Sequence, residues 1–184
     1  MRRTASVLIG HLTLMGLACT APGEPTEVEP DAGPTAGLEG PSLGQPTPSQ
    51  IPEIFAPGLV STGMAERDLA MTPDGNEIYY TGVLGAGFDF SAILFVRRVD
   101  GLWTKPEVAP FSGRFKDLEP AISPDGERFF FVSYRPYDVD GEKPAEDEDI
   151  FMMERQADGW GEPQRLGPPI NSDRPEFFPS VARD

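Results

Sequence analysis

Along most of this chain, apolar positions come in runs of four to eight residues, each bounded by Gly, Pro, Asp or Asn. This is the pattern of short strands and turns rather than of helices. Two runs share one lead-in: MTPDGNEIYYTG (Met71–Gly82) and ISPDGERFFFVS (Ile122–Ser133), 51 residues apart. Pro-Asp-Gly predicts a tight turn. Pro73 and Pro124 preset φ at the first corner, Asp74 and Asp125 bond back to the backbone, and Gly75 and Gly126 accept positive φ. The strand after the second turn, RFFFVSY (Arg128–Tyr134), is apolar on both faces, which predicts burial from both sides. SAILFVRR (Ser91–Arg98) and DIFMMERQ (Asp149–Gln156) begin apolar and end charged, as strands leaving an interior do. Asp-Gly at 100–101 and 158–159 then predicts hairpins onto outer strands carrying Trp103 and Trp160.

The similarity extends beyond the turn. Glu66 corresponds to Asp117, with Ser61 and Ser112 five residues before them. Arg97 and Arg155 each stand three residues before Asp-Gly, and Pro106 and Pro163 each follow a tryptophan by three. A third copy opens at NSDRPEFFPSVARD, where Asn171, Glu176 and Asp184 take the corresponding places after a spacing of 59. The excess lies mostly in the acidic insertion at 137–149. Four short strands per repeat of about fifty residues is the period of a β-propeller blade.

SPDGERFFFVS, EDIFMMERQADGWGEPQRLGPPINS and EFFPSVARD resemble the PD40, or WD40-like, β-propeller repeat of TolB-type proteins. The resemblance spans about residues 55–184. It implies an all-β fold of four-stranded antiparallel blades and a role in binding partners in the cell envelope. It carries over no TolB activity, because the chain shows no TolB N-terminal domain. A closed six-bladed ring at this period needs about 250–300 residues. Two copies and the start of a third therefore predict an incomplete propeller within residues 51–184, or one that assembles with further copies. IFAPGLVSTGMAE (Ile54–Glu66) resembles the end of a repeat without its beginning, the piece that latches such a ring.

The N-terminus is of a different character. Arg2 and Arg3 precede an apolar run from Val7 to Leu17, which has the length of a signal-peptide core and is too short to span a bilayer. Residues 1–18 are thus expected to be an export signal. GLAC (Gly16–Cys19) resembles the bacterial lipobox with Gly16 where leucine is usual, which implies diacylation of Cys19, the single cysteine. Ordinary signal cleavage at Gly16-x-Ala18 is the alternative to the favoured lipobox reading. Residues 19–50 hold seven prolines, no aromatic residue and no Lys or Arg after the leader, and are expected to form a disordered polar tether. These parts together predict a protein lipid-anchored in the envelope, at the outer membrane or its periplasmic or surface face, touching the membrane only through the anchor.

Composition then narrows the chemistry. The whole chain carries a net charge of −15, and without the leader it holds 13 basic residues against 30 acidic ones. That balance disfavours nucleic acid and anionic lipid as partners. The only histidine, His11, lies in the leader, so Ser-His-Asp and Cys-His mechanisms and His- or Cys-ligated zinc have no residues to use. Asp138, Asp140, Glu142, Asp147 and Asp149 are weak candidate Ca²⁺ ligands; their spacing is not that of an EF-hand, and a solvated acidic loop is the favoured reading. Glu66, Asp117 and Glu176 recur at one repeat position, as do Arg97 and Arg155, and Trp103 and Trp160. Recurrence assigns all of them, with both Pro-Asp-Gly turns, to structure: ion pairs within a repeat, and packing. The expected function is a non-catalytic binding or scaffolding module without cofactor, whose partner is an envelope protein or glycan. The alternative is a fragment of an envelope hydrolase or lyase with its catalytic residues in further blades.

Overall fold

The computed structural model describes residues 43, 45, 49–86, 88–136 and 145–183. The expected export signal, Cys19, nearly all of the expected tether, and Asp138, Asp140 and Glu142 lie outside the described residues. The chain divides into Met1–Asp31 and Ala32–Asp184, and every described residue belongs to the second unit.

This unit is all-β, and its strands pair antiparallel into two sheets built to one plan. The first holds β1 (Ala65–Met71), β2 (Glu77–Leu84), β3 (Phe90–Val99), β4 (Leu102–Trp103) and β5 (Glu107–Val108). The second holds β6 (Asp117–Ile122), β7 (Arg128–Ser133), β8 (Asp149–Gln156), β9 (Gly159–Trp160) and β10 (Gln164–Arg165). In each, three long strands form a meander, and two short pieces pair with the third strand. The repeat pattern predicts one continuous outer strand. Pro106 and Pro163 divide it in two, since a proline donates nothing to the ladder.

The Pro-Asp-Gly segments form the expected turns, and their hydrogen bonds match one for one. Gly75 N donates to Thr72 O and Gly126 N to Ser123 O, both at 2.8 Å, with φ of 70° and 79° at the glycines. The hydroxyl of Thr72 bonds Asp74 Oδ1, and that of Ser123 bonds Asp125 Oδ1. Each aspartate also accepts the backbone N–H two residues on, Asn76 at 3.1 Å and Glu127 at 3.0 Å. Each hydroxyl oxygen accepts the N–H of the first strand residue, Glu77 or Arg128.

A second feature recurs on the strand before the turn. The pairing of β1 with β2 slips between Arg67 and Ala70, and that of β6 with β7 slips between Leu118 and Ala121. Asp68 and Glu119 occupy these bulges with φ of 55° and 56°. Phe178, at the matching position of the third copy, has φ 51°. A non-glycine residue at positive φ is uncommon, and three at one repeat position mark a shared backbone device.

Packing follows the two-residue alternation. On one face of the first sheet, Ile78, Tyr80, Val96 and Trp103 are buried beneath Leu43, Ala56, Leu59 and Val60. The segment that resembles a ring latch therefore closes onto the first sheet. Leu43 is fully buried, and Gln45 bonds both Ala56 N and Ile54 O. The folded part thus begins before residue 50, because one leucine within a polar stretch is enough to dock it. The opposite face presents Tyr79, Ile93 and Phe95 to Phe129, Phe131, Phe151 and Met153 of the second sheet. Burying each aromatic side chain there contributes about 2–3 kcal/mol. Phe129 and Phe131 hold the repeat positions of Ile78 and Tyr80, so equivalent faces look the same way through the stack.

Polar contacts join the sheets at both ends of this core. Arg155 grips Glu77 with two nitrogens, at 2.6 and 3.0 Å, and Trp160 Nε1 donates to Tyr79 Oη at 2.8 Å. Glu119 N donates to Thr81 Oγ1, and the Glu119 carboxylate takes Arg67 and the N–H of Phe178. The ion pairs of Arg155 and Glu119 therefore cross between copies, whereas recurrence predicts pairs within one repeat. The hairpin register also differs from the sequence pairing. Arg155 faces Trp160 as Arg98, not Arg97, faces Trp103. Asp100 and Gly101 fill the first turn with positive φ, whereas Ala157 and Asp158 fill the second and Gly159 already pairs with Gln156.

Candidate functional site

Beside the second sheet lies an open cleft of about 720 Å³. Its walls are the loop after β5, the end of β7 and the strand pieces that follow β8. Arg114, Arg135 and Arg165 reach it from these three places, among Phe111, Phe115, Phe151 and Trp160. Three arginines at one cleft are a sizeable share of the basic residues of so acidic a chain.

The floor is organised around Ser133. This residue pairs with Asp117 on one side and Asp149 on the other, which places both carboxylates near the end of β7. Asp117 is completely buried; it accepts the hydroxyls of Ser112 at 2.7 Å and Ser133 at 2.6 Å, and Arg135 Nη2 at 2.9 Å. Arg135 is further fixed by Nε to Ser133 Oγ at 2.9 Å and Nη2 to Phe111 O at 2.8 Å. It lies over the rings of Phe131 and Phe151, at 4.8 and 5.5 Å. Asp149 holds Arg165 through both its oxygens, at 2.7 and 2.8 Å. Such two-point pairs set guanidinium orientation far more tightly than a single contact does.

Burial pushes the Asp117 carboxyl up from its ordinary value, opposed by the Arg135 charge and by the Ser133 and Ser112 hydroxyls. Arg114 differs from the other two. It is exposed, stacks on Phe115 at 5.0 Å, and has no carboxylate partner among the described residues.

Several residues singled out by sequence take other places. Glu66 and Glu176 accept from Thr62 and Ser172, four residues before them, while the shorter Asp117 accepts from Ser112, five before. Ser112 Oγ also receives Ile93 N, and Asn171 Oδ1 receives Ile150 N in the same position, so the repeated residue clasps the third long strand of each sheet. Of the proposed Ca²⁺ ligands that are described, Asp149 is committed to Arg165. Among the described residues no cluster of three His, Cys, Asp or Glu is placed to hold a metal ion. Trp103 is core, and Trp160 packs between the sheets with one edge on the cleft. Sequence reading missed Arg135, Arg165 and Arg114. The available signal was an aspartate opening β8 and an arginine 16 residues on, where the chain returns beside it.

No protein-family model matches the chain, and no curated protein matches it.

Proposed function

We propose that this chain is an exported, lipid-anchored envelope protein whose PD40-type, TolB-like propeller blades act as a non-catalytic binding module. The observation that carries the reading is the recurrence of one hydrogen-bond set at Thr72–Glu77 and Ser123–Arg128. The same strand order and the same bulge accompany it in both copies. A sequence-encoded repeat of four-stranded meanders, with the outer strand divided by proline, is what stacked blades require. At the cleft floor Asp117 and Asp149 are both committed to arginines, and Glu162 lines the cleft as well.

The anchor is tested by growing an expressing diderm host with radiolabelled palmitate. Label should enter the wild-type protein and disappear in Cys19→Ala. A wild type that takes up no label overturns the lipid anchor and leaves ordinary signal cleavage.

A further inference from the structure

We infer that the cleft beside the second sheet binds an uncharged oligosaccharide; this rests on the binding-module reading above and specifies its ligand. Three features of the lining converge. First, the charges cancel. Asp117 neutralises Arg135 and Asp149 neutralises Arg165, so neither guanidinium presents an unbalanced charge. Arg114 and Glu162 then remain, one of each sign and both exposed. Such a lining selects no ion, because a ligand of either sign meets its own charge as well as the opposite one.

Second, the rim keeps its hydrogen-bonding groups unspent. The side chains of Arg114, Glu162 and Gln164 have no hydrogen-bond partner among the described residues. A guanidinium only donates, a carboxylate only accepts, and an amide does both. A sugar hydroxyl likewise donates and accepts, and two hydroxyls on neighbouring ring carbons match the two arms of a carboxylate or guanidinium fork. The Ser112 hydroxyl takes no part, since it is spent on Asp117 and on Ile93 N.

Third, the walls between these groups are apolar and held in place. Phe111 packs on Phe129 and Phe131, with ring centroids at 5.2 and 5.4 Å, and Phe115 and Pro136 line the cleft with it. A sugar ring lays its C–H face on such a wall and turns its hydroxyls to the rim. A wall already fixed costs the ligand little ordering. A peptide added as a strand draws its affinity from a backbone ladder, and the strand at this edge is only Gln164–Arg165. The cleft volume of about 720 Å³ lies within the range of small-molecule sites.

The test probes an array of neutral oligosaccharides, acidic oligosaccharides and random peptides with the full chain, then titrates the bound sugars by calorimetry. Neutral oligosaccharides should bind, and their affinity should hold from about 0.05 to 0.5 M salt, where exposed ionic contacts weaken. Glu162→Ala and Gln164→Ala should each weaken binding about tenfold, the loss of one or two hydrogen bonds. Arg98→Ala, exposed on β3 and outside the lining, should bind as wild type.

No neutral sugar bound, binding confined to acidic sugars or to peptides, or affinity indifferent to both Glu162→Ala and Gln164→Ala would each overturn the inference. Both side chains are exposed and bond nothing else among the described residues, so these variants keep the fold, and their thermal unfolding should match wild type. A bound sugar recovered intact supports the inference and the non-catalytic reading together. A sugar recovered cleaved keeps the ligand and overturns the non-catalytic reading alone. Failure here leaves the anchor and the repeat untouched.

Discussion

Asp117 and Asp74 show how one side-chain type serves opposite electrostatic roles. Asp117 lies out of solvent, and burial raises its pKa against the pull of Arg135 and two hydroxyls. A raised carboxyl binds its proton more tightly folded than unfolded, so the stability it contributes is present at low pH and is lost as pH rises through its folded value. Asp74 is lowered, chiefly by the Thr72 hydroxyl. Its contribution is present above the ordinary aspartate value and is lost as pH falls through its depressed one. Urea midpoints from about pH 3 to pH 7 should therefore lose their alkaline-side decline in Asp117→Asn and their acid-side decline in Asp74→Asn. Asp117→Asn also leaves Arg135 without its counter-charge. Because folding already disfavours the ionised carboxyl, Asp117→Asn should cost less at neutral pH than the roughly 3–5 kcal/mol of a buried pair broken at one partner. A loss of that full size in urea unfolding would show that the Arg135 charge outweighs burial.

The turn is the element where sequence and structure agree most closely, yet its two copies are not interchangeable. A methyl group on Gly75 would meet nothing within 4 Å, whereas on Gly126 it would lie 3.3 Å from Cδ of Pro73. The two Pro-Asp-Gly turns thus touch. Gly75→Ala should cost only the positive-φ penalty, about 1–2 kcal/mol. Gly126→Ala should cost more, because the Pro73 ring must also shift. Equal losses in the two variants, measured by denaturant unfolding, would refute that asymmetry. Spacing made the turns legible, since Pro, Asp and Gly each answer a local dihedral demand. The bulges were not legible. Asp68, Glu119 and Phe178 share a backbone conformation and no side-chain chemistry, so nothing in their identities announces it.

At the scale of the whole unit, the faces of successive sheets stack in one direction, and the N-terminal segment takes the place before the first sheet. Leu43 is its buried anchor there. Leu43→Ala should destabilise the unit by about 2–4 kcal/mol, and a chain beginning at residue 51 should lose at least as much. Equal urea midpoints for wild type and Leu43→Ala would return the segment to a mere tether.

Alternation and turn residues alone determined that this chain is all-β, repeats itself, and where its long strands run: DIFMMERQ is β8 to the residue. Those are local properties, set by each residue and its close neighbours. Tertiary structure decided what joins the copies. Arg155 reaches 78 residues back to Glu77, Phe178 reaches 59 back to Glu119, and Arg135 and Arg165 converge on carboxylates either side of Ser133. Sequence spacing cannot carry such pairings. Which charge meets which depends on the register and stacking of two sheets, and a one-residue shift, as between Arg97 and Arg98, turns a side chain to the opposite face.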